Sequence, residues 1–323
     1  MANDNKKNLL RYIRIFVSLI LFAIVVYFLD WHSIYTAFYQ SNKQLLIFAF
    51  SLHLIGIIVS VIRWDILVKA AGINKSFKNL FILYWISLFY NVFLPSSIGG
   101  DFVRIYDLSK YSGNLNGSIA SVVMDRLLGL IILLLIAVVA VFAGIHLIYS
   151  QWLAWLVILF FVGFTFLLGL LLLPDLRKAL SVLIPGKLRE VIAKKTTQIL
   201  NTFALYRTNP KVLIVSFLWS VVLQLNVIFY FYLIGNSLNI NMHFLYYCIA
   251  IPIIQVITLI PISISGLGIR EITAIALFMQ FTISAEKAFS LSILGFILAV
   301  IFNSIGGLLL LKTGLKVDSE PHS

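Results

Sequence analysis

Eight apolar runs constrain this chain more than any other feature. They lie near residues 12–29, 45–63, 79–94, 119–146, 152–173, 211–235, 243–260 and 288–311. Several approach or exceed the roughly 20 apolar residues that carry a helix across a bilayer. The runs are continuous rather than alternating, which excludes a transmembrane β-barrel. Only 11% of the 323 residues are charged, where a soluble domain carries about 25%. The sequence therefore reads as an all-α polytopic membrane protein. Its longest polar stretch, about 174–210, is too short for a soluble catalytic domain. Lys6, Lys7, Arg11 and Arg14 precede the first apolar run, and no A-x-A site follows it. The start of the chain thus reads as an uncleaved first span rather than a signal peptide.

Lys and Arg collect in cytoplasmic loops, so their distribution orients the spans. Four lie before residue 15, four in the loop 63–78 (Arg63, Lys69, Lys75, Lys78), eight in 177–211, and Lys312 and Lys316 near the end. The loops near 30–44, 147–151 and 236–242 hold only Lys43. With every basic cluster on one face, 79–112 must leave the cytoplasm and return, and 243–287 must start and finish outside. Both segments are predicted to be re-entrant helical hairpins, entering from opposite faces. The first arm of about 16 residues rises only about 24 Å, short of a core of roughly 30 Å. Pro95 to Gly100 forms the first bend, because Pro removes a donor and Gly-Gly permits a tight reversal. The second bend is "PISISGLGIRE", 261–271. The chain is thus expected to carry six full spans and two opposed hairpins, with both termini cytoplasmic in a bacterial or archaeal plasma membrane.

The two bends align without gaps. Pro95, Ser97, Ile98, Gly100 and Arg104 match Pro261, Ser263, Ile264, Gly266 and Arg270. With the opposite orientation derived from Lys and Arg, this points to inverted-topology repeats within a single transmembrane domain, 1–323. Repeat one covers about 45–146 and repeat two about 211–311. Such repeats build a substrate site near the midplane from broken helices.

Charges inside a membrane are costly and mark functional sites. Asp101, Arg104, Asp125, Arg126, Arg270 and Glu271 all fall in or beside apolar segments. One reading makes them structural ion pairs that lock the hairpins. The other makes them a substrate cavity, with Arg104 and Arg270 holding a phosphate by two-pronged hydrogen bonds and helix starts supplying N–H groups. Asp101 sits at such a helix start, where it caps the helix, orients Arg104 or meets a cationic headgroup. Residues 186–209 place Leu188, Ile192, Ile199, Phe203 and Tyr206 near one helical face and read as an amphipathic helix on the cytoplasmic membrane surface. Its basic side suits anionic lipid, not nucleic acid. His53, inside an apolar run, reads as a hydrogen-bonded structural residue with a functional role as the alternative, and Cys248, alone in the sequence, as packing. The five His show no metal-ligand spacing, so neither metal nor cofactor is expected. Asp30, alone in a short loop, is weak ground for glycosyl transfer.

Three stretches together carry a family resemblance: "NVFLPSSIGGDFVR" (91–104), "SVVMDRLLGL" (121–130) and "PISISGLGIRE" (261–271). The chain resembles the lysylphosphatidylglycerol synthase transmembrane region, also called the flippase-like domain family, over nearly its whole length. The matching positions are Asn91, Pro95, Gly99, Gly100, Asp101, Arg104, Asp125, Arg126, Gly266, Gly268, Arg270 and Glu271. The resemblance implies an integral membrane protein. Members fused to an aminoacyl-transfer domain synthesise and flip aminoacylated phosphatidylglycerol. No such domain stands in this sequence, so lipid aminoacylation is not carried over and no enzymatic activity is expected. The function expected is a lipid flippase, or a transporter of phospholipid or another lipid-linked anion. A secondary transporter of a small anion and an enzyme or accessory subunit in lipid-linked glycan assembly are the alternatives. The expected partner is a membrane phospholipid or other lipid-phosphate, and homo-oligomerisation is left open.

Overall fold

Segments apolar on all sides satisfy their backbone groups internally as helices, the one open-ended form a bilayer core accepts. The computed structural model describes residues 31–93, 99–144, 209–260 and 263–314, with Trp155, 158–159, 161–166 and Tyr206. Among these residues the fold is all-helical, with no strand. A short α1 (Trp31–Tyr39) is followed by α2 (Lys43–Ala70), α3 (Phe77–Phe93), α4 (Gly99–Ser112) and α5 (Leu115–Ala143). Then come α6 (Pro210–Ser237), α7 (Phe244–Thr258), a 3₁₀ turn (Ile264–Gly266), α8 (Ile269–Met279) and α9 (Ala285–Gly314). Among the described residues four helices, α2, α5, α6 and α9, are long and apolar enough to cross a membrane.

Helix starts follow local chemistry. Asn42 caps α2 by accepting from Gln44 N at 3.0 Å, and Asn114 caps α5 by accepting from Gly117 N at 2.8 Å. Pro210 opens α6 at a position where its missing N–H costs nothing. Two differences from the sequence reading stand out. Residues 31–39, expected as part of a loop, form α1. The helix expected to end near 63 continues to Ala70, because Arg63 and Asp65 are held inside the protein rather than in a loop. The expected span 12–29, most of 152–173 and most of the amphipathic segment 186–209 lie outside the described residues. Tyr206 is buried against Leu67, Ala120, Met124 and Leu128, and its hydroxyl donates to Leu67 O at 3.0 Å.

Two long helices form the centre. α2 and α6 pack along their length and run antiparallel. Asn42 N donates to Ser237 O at 2.8 Å at one end, Gly56 faces Asn226 midway, and Arg63 donates to Ser220 Oγ at 3.0 Å further on. The shorter helices come in two bent pairs, α3 with α4 and α7 with α8. The main contacts of α2–α5 recur in α6–α9: α4 lies on α5 as α8 lies on α9, and α3 lies on α9 as α7 lies on α5. Small residues allow the last two approaches. A Cβ on Gly306 would stand 2.3 Å from Trp85 O, and Ala137 and Ala140 are buried in the apolar cluster that includes α7. The bent pairs meet at their bends, where the Ser265 hydroxyl lies 2.9 Å from Asn91 O and 2.7 Å from Val92 O.

Candidate functional site

The two bends create their own backbone demands. Asn91 Oδ1 accepts from Gly100 N at 2.8 Å, which holds the start of α4 against the end of α3. A Cβ on Gly100 would sit 2.0 Å from Ser87 O, so only glycine permits this approach. Gly99 and Gly100 are both buried. In the second bend Gly266 has φ +75° and Gly268 φ +83°, a left-handed conformation that favours glycine. Pro95 and Pro261 lie outside the described residues.

From the first bend α4 carries Asp101 and Arg104 towards α5, which presents Asp125 and Arg126. These four predicted residues meet, and α2 adds a fifth, Arg63. Arg104 pairs with Asp101 and donates to Asp125 Oδ2 at 3.1 Å. Arg63 donates through Nε to Asp125 Oδ1 at 2.7 Å. Arg126 grips Asp101 through Nε at 2.7 Å and Nη2 at 3.1 Å. Three guanidinium groups therefore share two carboxylates. The Arg104 guanidinium lies 5.1 Å from the Trp64 ring centroid and 4.8 Å from that of Tyr84, so its faces are covered as well. Arg104 and Asp125 are both 2% exposed, whereas the Arg126 side chain is 41% exposed. Asp125 and Arg126 are sequence neighbours that turn to different partners, as neighbours on a helix must.

The second pair is separate. Arg270 Nε donates to Glu271 Oε1 at 2.8 Å, and Glu271 Oε2 accepts from Gly268 N at 2.7 Å, closing the first turn of α8. Glu271 is fully buried. Ser292 Oγ lies 3.4 Å from Oε1, tying the carboxylate to α9. The Arg270 guanidinium lies 4.0 Å over the Phe296 ring.

A cavity of about 310 Å³ lies beside this pair. Of the six predicted charges, Arg270 alone lines it. Tyr84 lines it too, and so stands between the cavity and Arg104. The other polar lining comes from positions deep inside the apolar runs: His53 and Ser60 on α2, Asn226 and Tyr230 on α6, Gln255 on α7 and Asn303 on α9. His53 Nε2 lies 3.5 Å from Asn303 Oδ1, and the Tyr230 hydroxyl donates to Gly295 O at 2.8 Å. His53, Asn226 and Asn303 all sit near the middle of helices 28 to 30 residues long. Sequence reasoning weighed His53 as structural and missed Arg63, Asn226, Gln255 and Asn303. The available signal was a polar side chain within an unbroken apolar run. Among the described residues no three His, Cys, Asp or Glu side chains converge to hold a metal ion.

A family model described as "Lysylphosphatidylglycerol synthase TM region" matches residues 12–307. A UPF0104 membrane protein of Methanocaldococcus jannaschii is 29% identical over 118 residues, which is 36% of this chain and 35% of that protein. The chain thus spans about a third of that relative's length in the match. A UPF0104 membrane protein of Pyrococcus horikoshii is 23% identical over 330 residues, covering 94% of this chain and 97% of that protein. No solved structure matches the chain.

Proposed function

This chain belongs to the lysylphosphatidylglycerol synthase transmembrane-region family, and on that premise we propose that it moves lipids between leaflets, without covalent chemistry. The observation that carries this reading is the cavity halfway along α2, α6 and α9, lined by Arg270, His53, Asn226, Gln255 and Asn303. Polar groups at that depth cost free energy in a bilayer and mark a substrate path. At about 310 Å³ the cavity lies at the lower end of ligand pockets, which suits a headgroup with its acyl chains left in the bilayer.

The architecture proposed is six spans and two opposed re-entrant hairpins, α3–α4 and α7–α8, in inverted-topology repeats. The antiparallel α2–α6 pair, the recurring contacts of the two halves and the meeting of the bends at Ser265 support it. The Lys and Arg distribution supports cytoplasmic termini in a plasma membrane. Alternating access by rocking one half against the other would expose the cavity to each leaflet in turn.

The test is reconstitution of the purified chain into liposomes with fluorescent phospholipids. Leaflet exchange should exceed that of protein-free liposomes. Arg270→Lys, which keeps the charge but loses the two-pronged geometry, should slow it while the protein still folds. Exchange no faster than in protein-free liposomes would end this reading. The small volume also favours a second reading, transport of a small soluble anion. Uptake of labelled phosphate into the same liposomes, with no lipid exchange, would select it.

A further inference from the structure

The charges around the cavity do not support equal treatment of all headgroups. Among the described residues, Arg270 is the one lining residue with a formal charge, counting His as neutral. That charge is already met by Glu271, which is fully buried and fixed from three sides by Gly268 N, Arg270 and Ser292. The surplus positive charge of the other cluster resides with Arg63, Arg104 and Arg126, none of which lines the cavity. The Tyr84 ring separates Arg104 from it. The remaining polar lining is neutral: the amides of Asn226, Gln255 and Asn303 each offer both donors and an acceptor. Tyr84, Phe231 and Phe296 add aromatic rings to the wall.

From this balance we infer that the cavity selects lipids whose headgroup carries no net charge, either zwitterionic or uncharged and hydroxyl-rich. The inference rests on the lipid-moving reading above and names its substrate class. A net-anionic headgroup at this depth would bring a charge that no lining group is left to neutralise, and a net-cationic one would meet the same lack. A zwitterion brings its own balance. Its phosphate accepts from Arg270, which keeps one Nη without a partner among the described residues, and its cationic end meets aromatic rings. A glycosyl headgroup finds the amides instead. The chemistry shared by both is zero net charge together with dense hydrogen bonding.

The experiment uses the full chain in liposomes with four fluorescent lipids of identical acyl chains: phosphatidylcholine, glucosyl diacylglycerol, phosphatidylglycerol and lysyl-phosphatidylglycerol. The first two should exchange at least about tenfold faster than the last two, since an unbalanced charge in the membrane interior costs more than one decade. The choline and glucosyl lipids arbitrate between the zwitterionic and glycosyl sources. Phosphatidylglycerol moving as fast as phosphatidylcholine would overturn the inference and leave the lipid-moving reading in place. Movement of no lipid would remove both. A second variant adds an independent check. Asn303→Asp is nearly isosteric and gives the cavity one negative charge, so preference should shift towards lysyl-phosphatidylglycerol by about tenfold. Thermal stabilisation of purified wild type and Asn303→Asp in detergent by each lipid reads the same preference without transport. Unchanged selectivity in both assays would mean that the cavity does not set headgroup charge.

Discussion

Around Arg104 five charges share their partners, whereas Arg270 and Glu271 have only each other as charged partners among the described residues. The two groups occupy matching places after matching bends, yet they answer to different constraints. The first has three cations for two anions, so removing an arginine moves it towards balance and removing a carboxylate moves it away. The second is one to one, so losing either member strands the other. In the shared network Arg104, Asp101 and Asp125 each have two charged partners. The isolated pair gives neither member a second one, but it leaves one side of its arginine open to a cavity. The difference teaches that the same sequence motif builds an ion-pair cluster away from the cavity in one place and part of the cavity wall in the other.

The largest effect should come from breaking the first balance the wrong way. Asp125→Asn leaves three guanidinium groups with one carboxylate, and Arg63 and Arg104 are both buried. A loss of about 3–5 kcal/mol is expected, read as a fall in thermal midpoint in detergent. Arg126→Gln, at the exposed edge, should cost no more than about 1 kcal/mol. If the two variants unfold alike, the surplus of cations does not govern the cluster.

Where the charges differ, the bends should behave alike. Gly100→Ala drives a methyl group into Ser87 O, and Gly266→Ala combines a φ of +75° with a Thr258 methyl 2.9 Å away. Each should lose about 1–3 kcal/mol. Gly163, with nothing within 4 Å of its added Cβ, is the control and should tolerate alanine. Tolerance at one bend and not the other would extend the asymmetry of the charges to the backbone itself.

The smallest effect concerns the link between the bends. Ser265→Ala removes the hydroxyl that bonds to the carbonyls of Asn91 and Val92, at an expected cost of about 0.5–1.5 kcal/mol. A double-mutant cycle with Asn91→Ala in thermal unfolding should show coupling if the two bends act as one unit. Strict additivity would separate them.

The apolar helices were legible because apolar runs leave little choice: α5, α6, α7 and α9 begin and end within about four residues of the predicted runs. The bends were legible because Pro and Gly-Gly interrupt such runs for few other reasons. Of the charged cluster, Asp101, Arg104, Asp125 and Arg126 stood out, since each breaks an apolar segment. Arg63 did not, because it ends an apolar run and is followed by basic residues, so it read as the first residue of a loop. What keeps it in α2 is Asp125, 62 residues away, which no local pattern announces. Asn226 and Asn303 were invisible for a related reason. One amide scarcely alters the hydropathy of a run, and only three helices packed together turn single amides into a wall. The inequality of Arg104 and Arg270 was hidden for the same cause: the motif records both arginines but not Tyr84, which covers one of them and faces the cavity.

The pairing of α3 with α9 has a consequence for how the chain is made. Trp85 donates to Phe302 O at 2.8 Å, and Gly306 and Gly307 press against α3. Yet α9 leaves the ribosome roughly 190 residues after α3 is complete. At about 5–20 residues per second that is roughly 10–40 s, far longer than a helix needs to form. During that interval the indole N–H of Trp85 and the facing carbonyl side of α3 have no final partner, and a 17-residue helix must hold its place beside lipid or the insertion machinery. The α2–α5 part of this protein therefore enters the membrane unfinished and is completed by α9, which arrives much later.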